Sequence, residues 1–255
     1  MPVDSSYVWP EGPQKPTVPL GSIDVWRLRL DDAQLDDLSP RYEADRSVLA
    51  PDEVARASRF HFARDRVRFT RCRSALRHVL GRYLDVAAQG VRFNYTPAGK
   101  PELAANQNTR GLRFNVAHSD QMALIAVGGG VRLGVDIERM RADVNAAELS
   151  ERFFSSRERE SLRSLPESLR VAAFYACWTR KEAFLKATGE GLAFPLSDFS
   201  VSVDPEKEAR LEEIRGNAHA ARQWSLIDVH AAVGFRSAVA AESPALAVAT
   251  FTFSV

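Results

Sequence analysis

Cysteine is scarce in this chain of 255 residues, neither sign of charge is in excess, and no long hydrophobic run occurs. The two cysteines, Cys72 and Cys177, sit inside apolar helical patterns. They make neither a disulfide framework nor a zinc-type spacing, so buried thiols in a reducing compartment are expected. Lys and Arg number 34 against 33 Asp and Glu, a net charge of +1, which supplies no bulk field for nucleic acid or an anionic membrane. No apolar stretch approaches the roughly 20 residues of a membrane span, and the first residues lack the charged-then-apolar pattern of a signal peptide. A cytoplasmic protein with no nucleic-acid or membrane partner is therefore expected.

What is present is an ordinary globular composition, 45% hydrophobic and 26% charged, enough for one large domain or two small ones sharing a core. Five prolines in residues 1–20 (Pro2, Pro10, Pro13, Pro16, Pro19) predict an extended or disordered lead-in. Ile23 to Leu30 reads as a strand, after which Asp31 or Asp32 can cap a short helix through Leu38. Pro51 opens another helix. Phe69, Cys72, Leu76, Val79, Leu80 and Tyr83 keep a helical period. Eight arginines lie between Arg56 and Arg77 against one acid, Asp65, most of them expected on a solvated helix face. Leu112–Val116 and Met122–Val127 read as strands joined by Ala117-His118-Ser119-Asp120. Ser155 and Glu158 have the spacing of a capping box, and a long, largely apolar helix runs from about Ser168 to Thr188 and stops at Gly189. Strands follow near 199–203, 225–233, 235–240 and 246–253. Strand, helices and more strands occur twice, on either side of Gly128-Gly129-Gly130. The fold class expected is α+β, with a lead-in over 1–20 and two similar subdomains over 21–128 and 129–255.

Leu133-Gly134-Val135-Asp136-Ile137-Glu138 alternates, so Asp136 and Glu138 project from one face of a strand, close enough to share one hard divalent cation. Some forty residues on, Trp178-Thr179-Arg180-Lys181-Glu182-Ala183-Phe184-Leu185-Lys186 puts Glu182 and Lys186 four apart on one side of a helix. Alone, that pair is an ordinary surface contact worth a few tenths of a kcal/mol. Three acids and a lysine that can meet at one place suggest chemistry on a phosphate.

These two stretches closely resemble the signature motifs of the 4′-phosphopantetheinyl transferases. Three further pieces fall in that family's order: Gly99-Lys100-Pro101, then Phe114-Asn115-Val116-Ala117-His118-Ser119, then Arg152-Phe153-Phe154-Ser155. Length and the arginine-rich helix are similar to the monomeric branch with two subdomains in pseudo-twofold arrangement. The resemblance implies transfer of the phosphopantetheine arm of coenzyme A, the co-substrate, to a serine of an apo acyl or peptidyl carrier protein. It implies Mg²⁺, with Mn²⁺ an alternative, held by Asp136, Glu138 and Glu182. Glu182 is the implied base and Lys186 the implied partner of the pyrophosphate or departing phosphate. Lys100 with Pro101, His118, Arg68 and Arg56 are the implied contacts to coenzyme A. Two departures stand out: Ala117 occupies the position of the usual serine, and the lysine expected after a Pro-Asp/Glu pair is Glu53 or Val54. A homologue that binds coenzyme A or a carrier without transfer, a nucleic-acid module on the arginine helix, and another Mg²⁺-dependent phosphohydrolase are the alternatives.

Overall fold

The structure, a computed structural model, describes residues 8–31, 37–97, 99–191 and 194–254. The first half forms β1 (Ser22–Arg29), α1 (Pro40–Ser47), α2 (Pro51–Ala57), α3 (Ala63–Leu84), β2 (Phe93–Tyr95), β3 (Pro101–Leu103), β4 (Leu112–Ser119) and β5 (Met122–Gly129). The second forms β6 (Leu133–Arg139), α4 (Ala146–Phe153), α5 (Ser156–Ser164), α6 (Glu167–Thr188), β7 (Phe199–Val201), β8 (Leu211–Ile214), α7 (Ala218–Ala221), β9 (Ser225–Asp228), β10 (Phe235–Ala241) and β11 (Ala247–Thr252). Each half has a sheet and one helix of 22 residues, α3 or α6. The α+β class and its two sheet-and-helix lobes are as expected.

Alternation along the strands sets the layers. In β1, Trp26 and Leu28 join Leu76, Val79 and Leu80 of α3 in one core. Ile23 and Val25 face the other way and pack with Leu124 and Ala126 of β5 and with Leu133, Val135, Ile137 and Val239 of the second sheet. The second sheet, ordered β6-β10-β9, turns Ala238 and Ala240 toward Phe184 and the rest of α6. The layers therefore run α3, first sheet, second sheet, α6, with β6 covered on both faces. That is why Asp136 is buried on a strand that alternates like a half-exposed one.

The first sheet has the order β11-β1-β5-β4. Its outer strand is the last of the chain: β11 runs parallel to β1, pairing Ile23 with Val248 and Trp26 with Phe251. Of the extended or disordered lead-in expected over residues 1–20, residues 8–20 run extended along the first sheet. Trp9 is buried beneath the Arg27 guanidinium, and Gly12 and Pro10 exchange backbone hydrogen bonds with Thr252 at 2.9 and 2.7 Å. A proline-rich chain has few amides to satisfy, so it can lie along a sheet edge without a ladder.

Other expectations are met or corrected locally. Ser155 and Glu158 form the capping box, and α6 ends at Gly189 in the left-handed conformation, φ 77°. Residues 32–36 of the expected short helix lie outside the described residues; the Asp31 carboxylate accepts from Arg68. The arginine face is less solvated than expected. Arg73 and Arg77 are buried against Glu53, whose carboxylate also accepts the Ala50 amide at 2.9 Å. Two guanidinium groups and an N-cap amide around one carboxylate explain why an acid stands there.

Within the first core, Tyr83 donates to Asp24 at 2.6 Å and accepts from the Trp26 indole at 2.8 Å. Burial raises the Asp24 carboxyl above its usual range, and the Tyr83 bond only partly opposes this. The folded state thus holds this proton more tightly than the unfolded chain, and stability falls as pH rises from the ordinary carboxylate range through the raised value. Asp24→Asn should remove that component. Urea unfolding from pH 4 to pH 7 should show the variant gaining on wild type as pH rises.

Candidate active site

Strand β6 and helix α6 carry the candidate residues, and Gly134 sets the distance between them. A Cβ built on Gly134 would fall on the backbone carbonyl oxygen of Ala183 and within 2.5 Å of the Ala187 amide nitrogen. Only glycine lets the helix lie this close, which brings Lys186 down onto the strand two residues along. The Lys186 ammonium donates to Asp136 Oδ1 at 2.6 Å. Gly134→Ala should push α6 outward at a cost of about 1–3 kcal/mol, the usual range for overpacking. Urea unfolding would read the lost stability, and any activity that needs Asp136 and Lys186 in register should fall further than the stability alone predicts.

Asp136 is buried, and its second oxygen, Oδ2, has no hydrogen-bond partner among the described residues. Burial pushes its pKa up to about 7, with Lys186 opposing and the charges of Glu138 and Glu182 adding to the rise. Glu182, half-buried on α6, is likewise raised by burial, with Lys186 opposing and Glu138 adding to the rise. Glu138 accepts from the Ser119 hydroxyl at 2.7 Å. The three acids therefore lie within electrostatic reach of one another. Among the described residues, however, no three acidic, histidine or cysteine side chains are gathered closely enough to cage an ion.

The first lobe supplies the opposite wall. A cavity of about 330 Å³ is lined by Lys100, Pro101, Phe114 and Asn115 from that lobe and by Glu182 and Lys186 from the other. The Lys100 ammonium donates to the Lys186 carbonyl at 2.8 Å, tying the turn before β3 to the end of α6. Burial lowers the Lys100 pKa, and the positive charges of Arg113 and Lys186 act in the same direction. Asn115 locks the lobes from beneath by accepting the Val135 amide at 2.9 Å.

His118 was expected in a turn, but β4 continues through Ser119, so His118 is a strand residue. Its surroundings, and then the charges of Lys186 and Arg68, keep its pKa below the usual histidine range. Arg68 on α3 donates from Nε and Nη2 to Asp31 at 2.8 and 2.6 Å, and from Nη2 to Asp120 at 2.8 Å. Arg56 is not brought to this cavity. Its guanidinium lies over the Phe69 ring at 5.5 Å and lines a separate hollow of about 580 Å³ with Asp52, Arg59, Phe60 and Tyr95.

Two charged residues of the second signature have other duties. Arg180, fully buried, is bonded to Asp228 at 3.0 and 2.5 Å and to the Ser202 carbonyl at 2.8 Å. Lys181 is buried against Glu158 and the Phe199 carbonyl. Ser119, the last residue of the Phe114–Ser119 stretch and given no role by its resemblance, contacts Glu138; only its place beside His118 pointed to it.

Matches to known proteins cover this arrangement from end to end. The model of the 4′-phosphopantetheinyl transferase superfamily matches residues 132–249, and that of the N-terminal part of a 4′-phosphopantetheinyl transferase matches residues 38–128. The 4′-phosphopantetheinyl transferase HetI of Nostoc sp. is 38% identical over 225 residues, spanning 88% of this chain and 89% of its own length. The chain belongs to the 4′-phosphopantetheinyl transferase superfamily. The transferase psf-1 of Bacillus pumilus is 30% identical over 69% of this chain and 74% of its own. The transferase Sfp of Bacillus subtilis is 28% identical over 65% and 71%. The β6 strand and the α6 helix both fall inside the 132–249 match, and Arg56, Arg68, Lys100 and His118 inside the 38–128 match.

Proposed function

We propose that the cavity between the lobes moves the 4′-phosphopantetheine group of coenzyme A to a serine hydroxyl of an apo acyl or peptidyl carrier protein, leaving adenosine 3′,5′-bisphosphate. The observation that carries this reading is Asp136, a buried carboxylate with one oxygen on Lys186 and the other without a partner, within electrostatic reach of Glu138 and Glu182. A buried oxygen without a donor calls for an explanation, and hard oxygen donors of this kind suit Mg²⁺ or Mn²⁺. Asp136, Glu138 and Glu182, which do not form a ready-made cage, would draw together around the ion, which when bound supplies charge neutralisation at the pyrophosphate.

The chain's own groups account for the rest. Glu182, at the cavity wall with a raised pKa, takes the proton from the carrier serine as its oxygen bonds to phosphorus. The bond that breaks joins that phosphorus to the oxygen bridging to the 5′-phosphate, which leaves with the electron pair. Lys186 stands beside Asp136 to balance the charge that develops there. Lys100 and Pro101 line the same wall; His118 lies farther along β4, the strand that supplies Phe114 and Asn115, within electrostatic reach of Lys186 and Arg68, where phosphates of the nucleotide would be met. Arg68 reaches such a ligand with Nη1, since its other edge is held by Asp31 and Asp120.

The experiment is intact mass spectrometry of several apo carrier proteins incubated with this protein, coenzyme A and Mg²⁺. A gain of one phosphopantetheine per carrier, lost on chelation of the metal, is the expected result. Unmodified carriers throughout, with coenzyme A still bound, would favour the binding-only homologue.

A further inference from the structure

Ser119 ends β4, with two residues between it and the start of β5, and its hydroxyl has two partners on β6. It donates to Glu138 Oε2 at 2.7 Å and accepts from the Arg139 amide at 3.1 Å. A hydroxyl carries one hydrogen. Because the Arg139 N–H points at the oxygen's lone pair, that hydrogen is committed to the carboxylate.

The hydroxyl itself is held in place. The hairpin beyond it turns at Asp120, a non-glycine residue at φ 49°, a conformation that costs energy unless its surroundings enforce it. Arg139 enforces it, gripping the Asp120 carboxylate and donating to Gln121 Oε1 at 2.8 Å. Arg68, on α3 of the hairpin's own lobe, holds Asp120 at 2.8 Å. Backbone and side chain of Arg139 thus clamp the tip of the β4–β5 hairpin against the end of β6, with Ser119 between.

We propose that Ser119 is the positioning residue that aims Glu138 at the cation, an inference that rests on the functional reading above. The chemistry of the contact distinguishes it from the one at Asp136. Lys186 fixes Asp136 but also compensates its charge. Ser119 fixes Glu138 with a neutral donor, so this contact brings no positive charge to the carboxylate and leaves Oε1 outside the hydrogen bond. An arginine or lysine in the same place would orient the acid and weaken it as a ligand. Groups that orient a metal's ligands typically change its affinity about 10–100-fold when removed.

The test is Mn²⁺ binding, followed by the electron paramagnetic resonance of the free ion. Wild type, Ser119→Ala, Ser119→Thr and Glu138→Gln are titrated at one fixed coenzyme A concentration, with a protein-free control. Ser119→Ala is expected to bind Mn²⁺ about 10-fold more weakly or worse, and Ser119→Thr, which keeps the hydroxyl, to return toward wild type. In the transfer assay the metal concentration for half-maximal rate should rise in Ser119→Ala, while kcat at saturating metal and KM for the carrier stay put. Wild-type Mn²⁺ affinity in Ser119→Ala, with only a lower melting temperature, would reduce the contact to a lobe interlock and overturn the inference alone. Wild-type affinity in Glu138→Gln would overturn it by removing the ligand it serves. No Mn²⁺ uptake by wild type itself would overturn the functional reading together with the inference.

Discussion

Glu182→Gln should lower the rate of carrier modification by about 10²–10⁴-fold, the usual contribution of a positioned general base, while leaving the fold intact. The second half of that expectation comes from what Glu182 lacks. Among the described residues its carboxylate makes no hydrogen bond and no ion pair, and burial and the Glu138 charge both disfavour its ionised form. A neutral amide of the same size relieves those penalties and removes no structural contact. Initial rates from intact mass spectrometry, paired with urea unfolding of both proteins, would separate the two effects. A variant that transfers like wild type would dismiss Glu182 as base, and one that fails to fold would show that the acid has a structural partner after all.

The other large effect is expected in stability. Glu158 and Lys181 are both almost fully buried, and the carboxylate also accepts the amides of Ser155 and Val201 at 2.8 Å each. The ammonium lies 4.2 Å from the centre of the Phe199 ring. Removing the acid in Glu158→Ala strands the lysine in the core of the second lobe and orphans two amides. Breaking a buried pair from one side costs about 3–5 kcal/mol, which for a chain of this size lowers the melting temperature by about 6–20 °C. The double variant Glu158→Leu with Lys181→Met should recover part of the loss, because no uncompensated charge is left behind. Calorimetry of the three proteins gives the answer. A loss under about 1 kcal/mol in Glu158→Ala would place the pair with exposed ion pairs.

How much of this was legible in the sequence depends on how local each signal is. Alternation in Leu133–Glu138 put Asp136 and Glu138 on one face, and the structure keeps Gly134 and Asp136 facing α6. The long helices were readable from their periods, and the C-terminal end of α6 from Gly189. What could not be read were partners supplied from far along the chain. Lys181 and Arg180 look like ordinary helix charges until Glu158 and Asp228 are placed against them. The same holds for Arg73 and Arg77 until Glu53 is seen beneath them. Short elements were missed for a related reason. In α1, α7 and β8 no span is long enough to display a period. His118 was assigned to a turn because Ala117-His118-Ser119-Asp120 is weak as a strand by composition. Pairing of Ala117 with Leu124 and His118 with Ala123 overrides that preference.

Pairing of β11 with β1 has a consequence for how the protein emerges from the ribosome. Residues 22–29 are made early, yet their parallel neighbour, residues 247–252, is made only after the rest of both lobes. Until then one border of the sheet stays bare, the strap of residues 9–12 lacks its hydrogen bonds to Thr252, and the nascent amino-terminal half presents an open edge to any passing strand.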